Sequence, residues 1–377
     1  MDSKKVARRT ASKQSIPTII GTGLIALDVV IADNVQSDPL LCAGGTCGNV
    51  LTALSYLGWN AYPIARLRGD AASKRVTEDL ASWGVRLDFV EIGDEGSTPV
   101  VVQHIRRNKA GESTHSFSRK CPQCGTWLPW YKAVKAASVS DIALRLPKAD
   151  VFYFDRTSRG AIELARHAKD SGSLVVFEPS TGSDPKQLES ALELAHIVKI
   201  ASDRLEGNEG VLESIDPLLV IETQGAAGLK YKYRGSAASK GWKRIPAVAT
   251  QSVIDTAGAG DWCTVGIISR LGILGVAGLE RASSESIEAA LTAGQAMASW
   301  TCQYHGARGG MYALSKSDAL KICDAMLLGN SPPALPLTSH RGSNLTSDEP
   351  LWCVSCLDAQ DDQNRKKPKR HSHGKKA

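Results

Sequence analysis

Asp255-Thr256-Ala257-Gly258-Ala259-Gly260-Asp261 is the stretch on which the fold turns. It sets two glycines and a carboxylate at the head of an apolar run, Trp262 to Val276, whose length predicts a helix. Gly258 and Gly260 leave backbone N–H groups free to approach a ligand, and a helix dipole adds positive potential at that end. The backbone of Ala257 to Gly260 thereby becomes an anion cradle. Asp261 follows in the first helical turn, where its carboxylate can face whatever the cradle holds. Such a pair suits phosphoryl transfer to a hydroxyl: the cradle stabilises charge on the moving group, and the carboxylate accepts the hydroxyl proton. Taken alone, the heptapeptide also fits a glycine-rich helix start with Asp255 or Asp261 as a capping acid.

Three more segments decide between these readings. Gly44-Gly45, Asn49 and Ala53-Leu54-Ser55-Tyr56-Leu57-Gly58 lie ahead of Ala65-Arg66-Leu67-Arg68-Gly69-Asp70, and a helix through Leu80 runs into Gly84-Val85. Further on stands Glu222-Thr223-Gln224-Gly225-Ala226-Ala227-Gly228, and the heptapeptide comes last. In this order the segments resemble the ribokinase/PfkB carbohydrate-kinase family over residues 18–312. The resemblance implies an α/β, ribokinase-like fold: a mostly parallel sheet with helices on both faces and a small β lid. It also implies an ATP-dependent, Mg²⁺-assisted transfer of the γ-phosphate to a hydroxyl of a sugar or sugar-like molecule.

The same resemblance assigns roles. Asp261 would be the catalytic base, beside the cradle of Ala257, Gly258, Ala259 and Gly260. Asp28, Gly44, Gly45 and Asn49 would bind the substrate, since a polyol needs close backbone approach and fixed donors and acceptors. Thr223, Gly225, Gly228 and Asp255 would serve ATP, and a helix Ala289–Tyr304 would cover the adenine. The chain departs from the family at Lys199-Ile-Ala-Ser-Asp203-Arg-Leu-Glu206, where an Asn-x-x-Glu is common. Asp203 and Glu206 are the nearest candidates for the magnesium environment. Arg68 also replaces a small residue. Gly21-Thr-Gly23-Leu-Ile-Ala26 imitates a dinucleotide fingerprint but lacks a good preceding strand and the distant acid.

The rest of the chain alternates. Val151–Phe154, Leu174–Phe177, Ile197–Ile200 and Leu218–Ile221 are short apolar runs of buried-strand type. Helical patterns at Arg159–Ser171, Pro185–Ala195 and Asp203–Ile215 separate them. That alternation implies parallel strands with crossover helices. Residues 19–32 suggest one buried strand ending near Asp28, and Thr98–Phe117 suggests a hairpin turning at Asn108–Glu112. The lid is placed at about 32–43 and 98–120, inside a kinase domain of 18–330, with tails at 1–17 and 331–377. The net charge of +6 is concentrated at the ends: residues 1–13 carry +4 and residues 365–377 carry +7, leaving the body at −5. Nucleic-acid binding by the body is therefore not expected. No export signal or membrane span is expected, and the implied location is cytoplasmic.

Two motifs fall outside the family. Cys121-Pro-Gln-Cys124-Gly and Cys353-Val-Ser-Cys356 are C-x-x-C knuckles whose four thiolates suit one structural Zn²⁺, stapling the tail to the lid. Unpaired thiols or two redox dithiols are the alternative. Cys42, Cys47, Cys263, Cys302 and Cys323 have no close cysteine partner at ligand spacing. A sugar or nucleoside is the expected partner, with a homodimer through the lid as a further option. Arg106 and Arg107 would suit a phosphorylated sugar. Two other functions stay open: a nucleoside kinase, or a degenerate kinase acting as a zinc-containing adaptor.

Overall fold

The apolar runs show no alternation because both sides of each strand are covered. Ile19, Tyr153, Val176, Ile197 and Ile221 enter one core, while Ile20, Phe152, Phe154, Val175 and Phe177 enter the other. The computed structural model describes residues 15–32, 39–107, 113–204, 216–235, 241–250, 252–330 and 352–357. Strands β1 (Thr18–Thr22), β4 (Asn60–Leu67), β5 (Phe89–Ile92), β8 (Val151–Phe154) and β9 (Leu174–Phe177) belong to the main sheet. So do β10 (Ile197–Ala201), β11 (Leu219–Thr223), β12 (Leu229–Tyr233) and β13 (Lys243–Ile245). Their order is β13-β12-β11-β10-β9-β8-β1-β4-β5. The pairings from β11 through to β5 are parallel, and only the edge pairings β11–β12 and β12–β13 are antiparallel.

Helices cover both faces. Thr46–Tyr56, Ala259–Leu271 and Ser284–Thr301 pack together on one side, and Arg159–Asp170 and Pro185–Leu194 on the other. Local chemistry sets the ends: Ser158 caps the 159 helix, Asp184 with Pro185 opens the next, and Asp70 and Ser73 form a capping box at Ala71–Ser82. The helix expected over Trp262–Val276 begins earlier, at Ala259, and gives way to a 3₁₀ turn at Gly272–Leu274 and a short helix at Gly275–Glu280. Ala259–Glu280 is long and apolar enough to cross a bilayer, but 56% of its apolar 18-residue stretch is buried in the protein, with Ala259–Leu271 packed against Ser284–Thr301. The helix expected at Ala289–Tyr304 spans Ser284–Thr301, capped by Ser283.

Residues 19–32 are not one strand. They divide into β1 of the main sheet and β2 (Ala26–Ala32) of a second sheet with order β3-β2-β6-β7. The division has a cause: the Leu24 N–H leaves the strand to donate to Asp155 Oδ1 at 2.9 Å. The lid sheet comprises β2, β3 (Leu40–Gly44), β6 (Val100–Arg107) and β7 (Ser113–Ser118), so it starts at Ala26 rather than near 32. Asp28 consequently lies in mid-strand, paired with Cys42 on β3 and Val101 on β6. The turn Asn108–Glu112, most of the Asp203–Ile215 segment and most of both tails lie outside the described residues.

Candidate active site

From β1 the chain proceeds to β4 and β5 on one side and later to β8 and beyond on the other, so a crevice opens at the carboxyl ends of β1 and β8. Open α/β sheets bind ligands at such a switch point. Thr22 at the end of β1, Asp155 after β8, Glu178 after β9, Ala201 ending β10 and Thr223 ending β11 line that edge. The cradle helix arrives there from the far end of the chain.

Gly258 caps the cradle helix with φ 76°, in the left-handed region, and a Cβ there would come within 2.6 Å of Ala307 Cα. Only glycine turns the chain this tightly. Gly260 is exposed, and a Cβ there would lie 3.8 Å from Lys199 Nζ. Asp261 in the first turn accepts a 2.7 Å hydrogen bond from Asn49 Nδ2. Asn49 is buried in the Thr46–Tyr56 helix, and its Oδ1 has no hydrogen-bond partner among the described residues. A hydroxyl of a bound ligand would complete it.

Beneath the cradle lies a charged network that sequence reasoning missed. Lys199 Nζ donates to Glu178 Oε1 at 2.8 Å, and the two side chains are 2% and 4% exposed. Glu178 Oε2 accepts from Thr264 Oγ1 at 2.8 Å and from Tyr153 OH at 3.3 Å, and the Thr264 hydroxyl also lies 3.2 Å from the Gly260 carbonyl. Burial would raise Glu178, but Lys199, Arg204 and these hydrogen bonds hold its carboxyl below the ordinary value. Asp261 moves the other way. Burial and then the Glu178 charge push it up to about 7, against the Asn49 bond, Lys199 and Arg204. A carboxylate poised there can take a proton near neutral pH. A signal for this network existed: Lys199 and Glu178 sit within or directly after fully apolar strand runs, where a charge must find a partner.

The proposed substrate residues come together on the lid side. Asp28 packs against Gly44 so closely that a Cβ on that glycine would be 1.9 Å from Asp28 Oδ2. Burial pushes the Asp28 carboxyl up to about 7, opposed by Arg308 and the Gly45 N–H, with Asp79 adding to the rise. Arg308 is itself 1% exposed; it donates to Asp79 Oδ2 at 2.7 Å and to the Ala43 carbonyl. The Tyr312 hydroxyl donates to Asp79 Oδ1 at 3.0 Å. Nothing in Gly306-Ala-Arg308-Gly-Gly announces an arginine that returns to the lid, so this partner was invisible in the sequence. Arg106 is exposed on the lid.

On the nucleotide side, Thr223 ends β11, and Gly225 and Gly228, at φ 55° and 94°, shape the turn into β12. Asp255 stands apart from that turn, behind the cradle: its carboxylate accepts from Ala257 N at 2.9 Å, Gly306 N at 2.8 Å and Gln103 Nε2 at 2.7 Å. Asp203 is exposed in the 3₁₀ turn Ser202–Arg204, and Glu206 lies outside the described residues. Among the described residues one group of three or more metal-capable side chains is assembled: Cys121, Cys124, Cys353 and Cys356, with all sulfurs within 4.8 Å of one another. Cys121 and Cys356 stand 3.8 Å apart, Cys124 and Cys353 3.6 Å.

Residues 32–313 match the family described as pfkB family carbohydrate kinase. A fructokinase of Klebsiella pneumoniae is 27% identical over 305 residues, covering 75% of this chain and 92% of that protein. In structure the chain is similar to a Xylella fastidiosa fructokinase with bound ATP, with TM-score 0.59 and 23% identity, covering 77% of this chain and 93% of that one. A Burkholderia thailandensis nucleoside kinase in complex with inosine gives TM-score 0.58 at 19% identity, covering 84% and 99%.

Proposed function

The chain belongs to the pfkB family of carbohydrate kinases, and from that premise we propose that it phosphorylates a free ketohexose of the fructose type at a hydroxyl held between Asp28 and Asp261. The observation that carries this reading is the 2.7 Å bond from Asn49 to Asp261. It ties the amide on the sugar side to the carboxylate on the phosphate side, so one hydroxyl can reach both. In the reaction Asp261 takes the hydroxyl proton as the new O–P bond forms. The bond from the γ-phosphorus to the bridging oxygen breaks, and ADP leaves with that oxygen. Ala257 N is spent on Asp255 Oδ1 and Ala259 N on the Thr256 carbonyl, so the N–H groups of Gly258 and Gly260 meet the charge gathering on the phosphoryl oxygens, and the helix dipole adds to them. Asp28, against Gly44 and Gly45, fixes neighbouring hydroxyls of the sugar. The choice of fructose rests on the 27% identity to a fructokinase. A nucleoside is the second reading, supported by the fold shared with the nucleoside kinase. The test is ATP turnover with fructose, glucose, ribose, inosine and adenosine. Fructose should give the highest kcat/KM, and a nucleoside ahead of every sugar would overturn the assignment.

The carboxylates at the crevice are suited to a divalent cation that enters with the nucleotide, not to a dedicated cage. Both Glu178 oxygens are engaged, by Lys199 and by Thr264 with Tyr153, which leaves the exposed Asp203 as the carboxylate offered beside β10. Mg²⁺ commonly binds this way, through substrate phosphates and water with one or two carboxylates. Bound so, it would neutralise phosphate charge. The cysteine cluster fits Zn²⁺. A tetrahedral ion with Zn–S bonds of about 2.3 Å requires sulfurs about 3.8 Å apart, the spacing of Cys121 and Cys356. Four thiolates leave no open position, so the ion would be structural, joining 352–357 to the base of the lid.

A further inference from the structure

The lid does more than approach the sugar. Gln103, in mid-β6 and 2% exposed, donates from Nε2 to Asp255 Oδ2 at 2.7 Å. His115, on the neighbouring strand β7, places Nδ1 3.0 Å from Thr256 Oγ1 and 3.7 Å from Asp255 Oδ1. Two lid strands thus converge on the first two residues of the cradle loop. The loop is held from the opposite side by the Cys302 carbonyl, which accepts from Ile254 N at 2.7 Å and from Asp255 N at 3.2 Å. The Asp255 side chain is fully buried, and its Oδ1 accepts from Ala257 N, which anchors the start of the loop carrying the Gly258 and Gly260 amides. Gly306 N supplies the remaining bond. Gln103 is therefore two hydrogen bonds from the Ala257 amide, the residue before Gly258, through one buried carboxylate. On the same sheet Gln103 pairs with Val30, two residues from Asp28.

We infer that Gln103 and His115 are positioning residues through which the lid sets the orientation of the cradle amides, so that the sheet that holds the sugar also aligns the phosphoryl site. The inference rests on the reading of Asp255–Asp261 as the phosphoryl-transfer loop. Its physical basis is that a transition-state donor works only when it is pre-aligned. Asp255 cannot hold the Ala257 amide in one place if its own second oxygen is left partly unbonded. The Gln103 amide is buried and spent on Asp255, and His115 Nδ1 is engaged with Thr256, so binding should be spared while turnover is not.

The test uses the full-length protein with ATP, Mg²⁺ and whichever acceptor gives turnover. Gln103→Met keeps the length of the side chain and removes its amide. Its kcat, per site titrated by ATP binding, should fall on the order of 10- to 100-fold, with KM for acceptor and for ATP within about 2-fold of wild type. His115→Ala should lower kcat in the same sense by less. A merely structural role would reduce the number of titratable sites and leave kcat per site unchanged, and that result overturns the inference. A double-mutant cycle adds a readout that does not depend on folding yield. If Gln103 acts through Asp255, then Gln103→Met on an Asp255→Asn background should cost little further, whereas full additivity refutes the route. Asp261→Asn separates the two levels. Loss of turnover there together with an unaffected Gln103→Met refutes the clamp alone, and wild-type turnover by Asp261→Asn refutes the site reading beneath it.

Discussion

The head of the Ala259–Leu271 helix and the four-cysteine cluster are both assembled from residues more than 200 positions apart, yet they are held by different physics. At the first, Asn49 reaches Asp261 across 212 residues, and beneath them Lys199, Glu178, Thr264 and Tyr153 form a network buried in the main core. At the second, Cys121 meets Cys356 across 235 residues, and the returning segment is only 352–357, with Trp352 and Cys353 as its buried contacts. Packing against the main core holds the candidate site together. The cysteine cluster brings four sulfurs within 4.8 Å of one another. The contrast teaches that long-range closure in this chain rests on core burial at the one place and on four clustered thiols at the other.

The comparison can be broken first at its strongest point. Asp261→Asn should keep the fold and ATP binding and lower kcat by about 10²–10⁴-fold, the usual worth of a general base. In the wild type the base must be ionised. With its carboxyl pushed up to about 7 by burial and Glu178, kcat/KM should decline as pH falls below that value, approaching tenfold per unit. Steady-state rates from pH 5 to 8 check both statements, and a flat profile through 7 would remove Asp261 from the role.

The next effect is on stability. Lys199→Met or Glu178→Gln strands a buried partner, and removing one member of such a pair costs about 3–5 kcal/mol. Replacing both together should restore part of the loss. Chemical denaturation of the three variants measures it, and single variants as stable as wild type would show that the network does not carry the cradle. Asp28→Ala is expected to be milder, weakening acceptor binding by about 1–3 kcal/mol while leaving ATP binding in place. Calorimetry that finds the larger loss for nucleotide would reverse the two sides of the site.

The smallest effect should come from the metal. Protein purified without chelator should contain one zinc per chain, and Cys353→Ser with Cys356→Ser should abolish it. Because metal binding is coupled to local folding, chelation should free residues 352–357 to proteolysis. It should move the main thermal transition by no more than about 2–4 °C, the shift that roughly 1 kcal/mol gives in a domain of this size. A collapse of the whole fold on chelation would erase the distinction between the two regions.

Much of the molecule was legible in one dimension. Runs such as Val151–Phe154 and Leu174–Phe177 became the strands they suggest, since a strand buried on both faces needs an unbroken apolar run whatever lies around it. The start of the Ala259–Leu271 helix was equally readable, because Gly258 answers to a left-handed backbone geometry that a few consecutive residues define. The two cysteine knuckles announced their own partnership through ligand spacing. Positions that depend on neighbours distant in sequence could not be read in this way. Residues 19–32 look like one strand, and only the meeting of Leu24 with Asp155 divides them between two sheets and carries Asp28 into the lid. Asp255 is expected from the sequence to serve ATP, and nothing local announces that Gln103, Gly306 and Ala257 use its oxygens. Arg308 gives no local sign that it faces Asp28 and Asp79. The sequence alone determined the strands, the helix start and the knuckles, because periodicity, backbone conformation and ligand spacing are local properties. Tertiary structure decided which buried charges face one another, because the pairing and pKa of a charge depend on the whole shell of atoms that excludes water from it.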